Sequence, residues 1–443
     1  MSAVDNTLDY IDQASFLGLR ALGHGPVIQF TWIYARDVDL NGLRRFHRKL
    51  GQGLLGRRIE RSPLPFGRHR WIAWPGPADI DVAAAARSRS ELTAWTDEQA
   101  ALPIDPEHGP SWRLAIQPFT DGDTAVTLVV SHTVADGVGM AIAVTEAAQG
   151  VTRNLGYPAA RSRQKSKALL QDLRDIAGAL PQMARALAAA VRVAIANGGI
   201  DSPGKPTTSN PAEDPGEVVT LPSVTAYLDV QQWDHRAKSL GGTGNSLFLG
   251  VAARIGQDLG WVEPDGTVTL SVPVNERIEG DARGNALTGV RLSIDPSTVA
   301  GDLTGLRAGL KTALSTLGEA HNQLVAPLPL TPVIPKIVAR RLEGMVVGGA
   351  LLGSSNLGDL DPAVNRPDGT DADYFAVRTN ERIDRAHLRR HDGIFFPVVS
   401  ARLRGKVSVS VGYTNADGTT TTDQLLDAVR GALGDFGLSG QIE

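Results

Sequence analysis

A chain of 443 residues exceeds what one hydrophobic core usually serves, so two or three domains with a substantial interior are expected. Apolar residues make up 42% and charged residues 21%, as in ordinary globular proteins, and 48 glycines with 26 prolines signal many turns rather than disorder. The net charge of -4, without a long basic run, excludes the electrostatic footprint of nucleic-acid binding, and the lack of cysteine excludes disulfides, thiolate nucleophiles, zinc-cysteine sites and iron-sulfur clusters.

The opening MSAVDNTLDYIDQ lacks the basic-then-apolar pattern of a secretory signal, so a cytoplasmic location is expected. Tyr10 to Leu22 has helical spacing, and Pro26 to Tyr34 reads as a buried strand. A helix is predicted from Leu40 to Leu50, a short strand at Trp71 to Trp74, a helix over Ser90 to Ala101 and an alternating strand over Ser111 to Pro118. Asp121-Gly122 marks a turn, and Ala125 to Val130 is an almost unbroken apolar run, typical of a central strand buried on both faces. Val138 to Gly150 continues as a helix.

Lys165 to Ala196 is helical in pattern and alanine-rich, with Arg174, Arg185 and Arg192 recurring along it. It reads as an exposed or interfacial amphipathic helix, a form that also suits peripheral contact with lipid. The longest apolar stretch, Met345 to Gly353, is about half the roughly 20 residues a bilayer requires, so no membrane span is expected. Asn197 to Gly216 (NGGIDSPGKPTTSNPAEDPG) is dominated by turn formers and reads as a linker at 197–216 between an N-terminal half, 1–196, and a C-terminal half, 217–443. Beyond it, strands are predicted at Val218 to Val230, Val268 to Val274, Gly289 to Ile294, Tyr374 to Val377, Phe395 to Leu403 and Val407 to Tyr413. Helices are predicted at Ser246 to Leu259, capped near Asn245, at Asp302 to His321 and at Thr422 to Leu433. Each half mixes strands and helices in a similar α/β order, and no fixed-period repeat is visible.

The stretch Ser131-His132-Thr133-Val134-Ala135-Asp136-Gly137-Val138-Gly139 places a histidine, a carboxylate and two glycines where a buried strand gives way to a helix. Rigid sheets expose site residues at such strand ends. Imidazole, with an ordinary pKa near ~6.5, takes and returns a proton at neutral pH, as acyl transfer from a thioester to an alcohol requires. The plain alternative is a buried histidine bonded to backbone. Asp136 suits either orienting the ring or holding the loop, and Gly137 suits a backbone conformation that other residues resist.

SHTVADG resembles the H-x-x-x-D-G signature of the coenzyme-A-dependent acyltransferase superfamily, which includes chloramphenicol acetyltransferase, condensation domains of peptide synthetases and the bacterial wax ester synthase/diacylglycerol acyltransferases. Three further stretches carry the resemblance: Leu102-Pro103-Ile104-Asp105 leading to Ser111-Trp112-Arg113-Leu114; Pro273-Val274-Asn275-Glu276-Arg277 followed by Gly284-Asn285; and Ser355-Asn356-Leu357-Gly358. The resemblance implies an α/β fold (α+β, two-layer) of two chloramphenicol-acetyltransferase-like halves with an active-site channel at their interface. It implies His132 as general base through Nε2, Asp136 as a structural partner of Arg277 in a bidentate pair, and Asn356 either as an oxyanion donor or as a brace of the neighbouring turn. One departure stands out: relatives of the condensation and wax-synthase branches carry His-His, and Ser131 occupies the first position here. Ser131 is not expected to act as a nucleophile, because no G-x-S-x-G elbow surrounds it.

Other clusters have plainer readings. Gly199 to Lys205 has phosphate-loop spacing, but Pro206 stands where Ser or Thr is needed, so it is linker. Leu240 to Leu247 reads as a turn with a helix cap, and His391-Asp392-Gly393 as a solvated turn. The histidines show no metal-ligand spacing, so no metal and no tightly bound cofactor are expected. The expected activity is transfer of an acyl group from acyl-coenzyme A, as co-substrate, to a small-molecule alcohol acceptor. A carrier-protein donor, docked on Arg385, Arg389 and Arg390, is the second reading, and a non-catalytic acyl- or lipid-binding protein the third. Two halves in one chain make a monomer sufficient.

Overall fold

A computed structural model describes residues 5–196, 218–219, 221–318, 326–334, 352–381, 383–384, 388, 396–415 and 417–443. The 197–216 linker with its Gly199 to Lys205 stretch, most of Met345 to Gly353, the Arg385, Arg389 and Arg390 group, and His391-Asp392-Gly393 lie outside the described residues.

The first half runs α1 (Tyr10–Leu22), β1 (Val27–Tyr34), α2 (Leu40–Leu50), β2 (Arg57–Glu60), β3 (Arg70–Ala73), β4 (Asp81–Val82), α3 (Leu92–Ala101), β5 (Trp112–Pro118), β6 (Thr124–Ser131), α4 (Gly137–Ala148) and α5 (Lys165–Ala196). The second runs β7 (Val218–Val219), β8 (Ser223–Asp229), α6 (Val230–Ser239), α7 (Gly244–Asp258), β9 (Val268–Asn275), β10 (Leu287–Ile294), α8 (Thr304–Ser315), β11 (Leu352–Asp359), β12 (Tyr374–Asn380), β13 (Ile383–Asp384), β14 (Phe396–Leu403), β15 (Lys406–Gly412), α9 (Thr422–Asp435) and β16 (Gly440–Ile442).

Two large sheets organise these elements, one in the order β12-β1-β6-β5-β4 and the other β10-β9-β11-β14-β15-β8-β16. All eight residues of β1 and of β6 are buried, as expected of largely apolar strands covered on both faces, and their buried polar Gln29, Thr31 and Thr127 bond one another. The two strands pair antiparallel from Val27↔Ser131 to Tyr34↔Thr124, which puts the end of β6 beside the start of β1.

The halves are interlocked. Strand β12 leaves the second half and pairs antiparallel with β1, from Val27↔Asn380 to Ile33↔Tyr374, so the first sheet is not built from residues 1–196 alone. Arg378 on β12 fixes the arrangement: Nε and Nη2 donate to Gln29 Oε1 at 3.0 and 2.8 Å, Nη2 pairs with Asp97 at 2.8 Å, and Nη1 donates to Ser223 Oγ. On the other side of the seam, Val399, Ala401 and Leu403 of β14 join the hydrophobic core of the first half.

Several expectations are refined. The strand expected over Val218 to Val230 is two strands, β7 and β8, followed by a helix. Asp229 ends β8 by capping α6, its carboxylate accepting from Gln231 N and Gln232 N. Helix α7 is capped by Thr243, not Asn245, because Thr243 and Ser246 form a reciprocal capping box. The helix expected from Asp302 begins at Thr304, since the Asp302 carboxylate accepts from Thr304 N and Oγ1 in a turn ahead of it.

Candidate active site

His132 is the first residue after β6, and the chain turns tightly there. The Ser131 carbonyl accepts from Val134 N at 2.8 Å and Ala135 N at 3.3 Å, while His132 N donates to Pro26 O at 3.0 Å. Ser131 itself is buried at the strand end, paired with Val27. The His132 ring is half-buried, and its Nδ1 lies 3.0 Å from Asn285 Oδ1, delivered by the β9–β10 loop of the second half. The ring thus meets a side chain of the second half rather than a backbone group.

The orientation of Asn285 follows from its other partners. Its Nδ2 lies 3.1 Å from Asp12 Oδ1 and 3.1 Å from the His132 carbonyl oxygen, both of which accept only. The amide nitrogen must face them, so Oδ1 faces the ring. An oxygen at Nδ1 requires the proton on Nδ1, so in the neutral ring the lone pair is on Nε2, the state a general base needs.

Asp136 caps α4, Oδ1 accepting from Gly139 N at 2.6 Å. Its Oδ2 accepts from Arg277 Nη2 at 2.8 Å and from Ala286 N at 2.8 Å. Asp136 and Arg277 therefore meet as expected, but through one nitrogen and not as a bidentate fork, because the helix cap occupies the other carboxylate oxygen. The guanidinium spends its remaining reach on carbonyls of its own loop, Nη1 on Arg283 O at 2.9 Å and Nη2 on Gly284 O at 3.1 Å. Asp136 N donates to Gly284 O at 2.9 Å as well. The Asp136 carboxylate thus bonds Gly139 N, Arg277 Nη2 and Ala286 N, which holds the loop, and these bonds do not run to the His132 ring.

Gly137 is explained by space, not by conformation. It is not among the residues of positive φ, and a Cβ there would lie 2.8 Å from Leu357 Cδ2. Gly139 is packed more rigidly: a Cβ would lie 3.0 Å from Arg277 Nη2 and 3.1 Å from Asp136 Oδ1. Asn356 Oδ1 accepts from Gly358 N at 2.9 Å and its Nδ2 donates to Asn245 Oδ1 at 2.9 Å. The side chain thus braces its own turn, where Gly358 has φ +67, and ties β11 to the start of α7.

Two residues of the site escaped sequence reasoning. Asp12 on α1 is 0% exposed and accepts from Gly284 N at 2.8 Å and Asn285 N at 2.7 Å in addition to Asn285 Nδ2. Burial pushes its carboxyl up to about 6, against the pull of the nearby Arg57 charge and of these hydrogen bonds. Arg57, also buried, donates from Nη2 to Val134 O at 2.8 Å, bonds the Ala282 carbonyl through Nη1, and stacks over the Trp71 ring. An acid at the fourth position after Leu8 and before Phe16, both fully buried, was the available signal for Asp12; nothing local marked Arg57.

No family model matches the chain. Two curated proteins from strains of Mycobacterium tuberculosis, provisionally named diacylglycerol O-acyltransferases, are 30% identical over 145 residues, 31% of this chain. The chain covers 29% of the length of these relatives. Among solved structures, the first condensation domain of the calcium-dependent antibiotic synthetase, in complex with a substrate analogue, superposes with a TM-score of 0.58 at 15% identity over 98% of this chain and 96% of that one. The wax ester synthase/diacylglycerol acyltransferase from Marinobacter aquaeolei VT8 gives 0.56 at 13% identity over 97% and 98%. These similarities establish the fold, two chloramphenicol-acetyltransferase-like halves, and His132 and Asn285 meet across their seam.

Proposed function

We propose that the chain is an acyltransferase that moves an acyl group from an acyl-coenzyme A thioester to an alcohol, with His132 as general base. The observation that carries the reading is the Asn285 oxygen at His132 Nδ1, which reserves Nε2 for a substrate proton. In the reaction the acceptor hydroxyl gives its proton to Nε2 as its oxygen attacks the thioester carbonyl. Collapse of the tetrahedral adduct breaks the carbon-sulfur bond, and the proton on Nε2 passes to the departing thiolate. Transfer to oxygen, and to a lipid alcohol in particular, is supported by the names of the mycobacterial relatives and of the Marinobacter enzyme.

The deciding experiment measures release of free coenzyme A from short to long acyl-coenzyme A donors, with alcohol and amine acceptors, in wild type and His132→Ala. Acceptor-dependent release that falls about 10²–10⁴-fold in a folded His132→Ala variant is expected. Reaction only when the same acyl groups are loaded on a carrier protein would replace coenzyme A by a carrier-bound donor, the second reading of the sequence. Binding without turnover in either format would leave a non-catalytic acyl-binding protein.

Helix α5 supports a lipid-side acceptor. Its inner face is anchored by the Arg70 and Arg163 pairs to Asp172, whereas Leu169, Leu170, Leu173, Leu180 and Leu187 are exposed on the outer face, with Arg174 and Arg185 exposed beside them. No described helix is long and apolar enough to cross a membrane. An apolar ridge flanked by cations suits the surface of an anionic bilayer. Wild type is expected to co-sediment with vesicles containing anionic lipid, and a Leu173→Gln/Leu180→Gln/Leu187→Gln variant to remain in the supernatant. Equal sedimentation of both would remove the helix from the proposal.

A further inference from the structure

We propose that Asp12 is a positioning residue that selects the reactive tautomer of His132 through the side-chain amide of Asn285. The inference rests on the general-base reading of His132 and extends it by one residue from a third part of the chain. Asp12 comes from α1, Asn285 from the β9–β10 loop and His132 from the end of β6, so the relay ties three distant segments together.

The tautomer of His132 is set by which end of the Asn285 amide meets which neighbour. The Asn285 side chain offers one donor end and one acceptor end, and His132 Nδ1 at 3.0 Å can meet either. With Oδ1 toward the ring, Nδ1 is protonated and Nε2 is free to accept. With Nδ2 toward the ring, Nδ1 must accept, the proton sits on Nε2 and the base is lost. An ionised carboxylate at 3.1 Å from Nδ2 makes the second arrangement costly, since Oδ1 would then face Asp12 Oδ1 across a fully buried contact; the neutral His132 carbonyl, also 3.1 Å from Nδ2, opposes the flip with the smaller charge of the two.

Asp12 is suited to this task. The backbone nitrogens of Gly284 and Asn285 donate to its two oxygens, so its carboxylate cannot rotate away from the amide. Its carboxyl, raised by burial to about 6, is still ionised above neutrality and therefore an acceptor only. A purely structural Asp12 would need only the two backbone bonds; the third, to Nδ2, reaches the amide that touches the base.

The test reads the tautomer directly and does not depend on finding the substrate. In protein labelled with nitrogen-15 histidine, long-range proton-nitrogen correlation above neutral pH, with His132 assigned by its disappearance in His132→Ala, should show the Nδ1–H form. Asp12→Asn should shift His132 toward the Nε2–H form and lower kcat by roughly tenfold or more while KM changes little, as expected when a base is held in the wrong tautomer. The exchanged variant, Asp12→Asn with Asn285→Asp, should recover the Nδ1–H form, because the new carboxylate accepts directly from Nδ1; it also decides the matter if Asp12→Asn alone does not fold. A folded Asp12→Asn protein that keeps the Nδ1–H form, or an exchanged protein that shows Nε2–H, would overturn the proposal. If the relay behaves as expected while no acyl transfer is found, the function reading fails and the relay stands.

Discussion

Arg277 and Asp136, 141 positions apart in sequence, form a buried ion pair of 2.8 Å in which neither side chain is more than 5% exposed. Each partner also organises its own half, Asp136 by capping α4 and Arg277 by gathering the carbonyls of Asp281, Arg283 and Gly284. That loop presents Asn285 to His132, so the pair acts on the base from a distance. Removing one partner leaves a buried charge uncompensated, and Arg277→Ala is expected to destabilise the protein by about 3–5 kcal/mol in urea unfolding. Arg277→Lys should recover only part of this, since a single ammonium cannot span Asp136 and the three carbonyls that two guanidinium nitrogens now reach. A loss under about 1 kcal/mol for Arg277→Ala would show that the loop is held by other contacts.

Asp12 gives the stability of the protein a pH dependence of definite sign. Its carboxyl titrates at about 6 in the folded chain against 3.8 as its ordinary value. The folded state therefore binds this proton more tightly than the unfolded state, and the resulting stabilisation is full below about pH 4 and lost as pH rises through 6. The change amounts to roughly 3 kcal/mol. His69, whose pKa burial lowers to about 4, works in the opposite direction as pH falls from 6.5. Unfolding free energies of wild type and Asp12→Asn at several pH values separate the two, because the His69 contribution is common to both. The difference, wild type minus variant, should fall between pH 4 and pH 7, and a flat difference would show that Asp12 titrates normally.

Much of this fold is legible in the sequence because its central strands are largely apolar and its helices start and stop at ordinary signals. The span of α1 was readable from spacing alone and is closed by Asp9 and Gly23. The stretch from His132 to Gly137 singles out His132 and Asp136 at a strand end, and the Asp136–Arg277 contact is an implication of the family resemblance that the geometry contains. What stayed hidden was long-range. The strand expected to run through Val230 stops one residue short, because Asp229 caps α6, and the rest of that helix carries no apolar pattern that marks it in the sequence. Strand β12 reads as an ordinary strand of the second half, and its membership in the first sheet is a pairing with β1 that sets Arg378 opposite Gln29, 349 positions away, which the contact between those two side chains accompanies. Asp12 is 273 residues from Asn285, and no local pattern connects them.

The two glycines of the motif make a prediction that separates a loosely packed neighbour from a fixed one. A methyl group at position 137 meets only the end of the Leu357 side chain, at 2.8 Å, and a leucine terminus can rotate aside. At position 139 the nearest atoms are Arg277 Nη2 at 3.0 Å and Asp136 Oδ1 at 3.1 Å, both fixed by hydrogen bonds and neither able to withdraw without loosening the pair. Overpacking a rigid site costs about 1–3 kcal/mol, so Gly139→Ala should reach that range while Gly137→Ala stays near its lower end. Because the displaced atoms at 139 belong to the pair that holds the Asn285 loop, Gly139→Ala should also lower kcat by more than its stability loss alone accounts for at temperatures where the protein remains folded. Unfolding curves and turnover measured side by side for the two variants check this ordering, and a Gly137→Ala protein as impaired as Gly139→Ala would show that the Leu357 side chain, not the ion pair, is the tighter constraint on the start of α4.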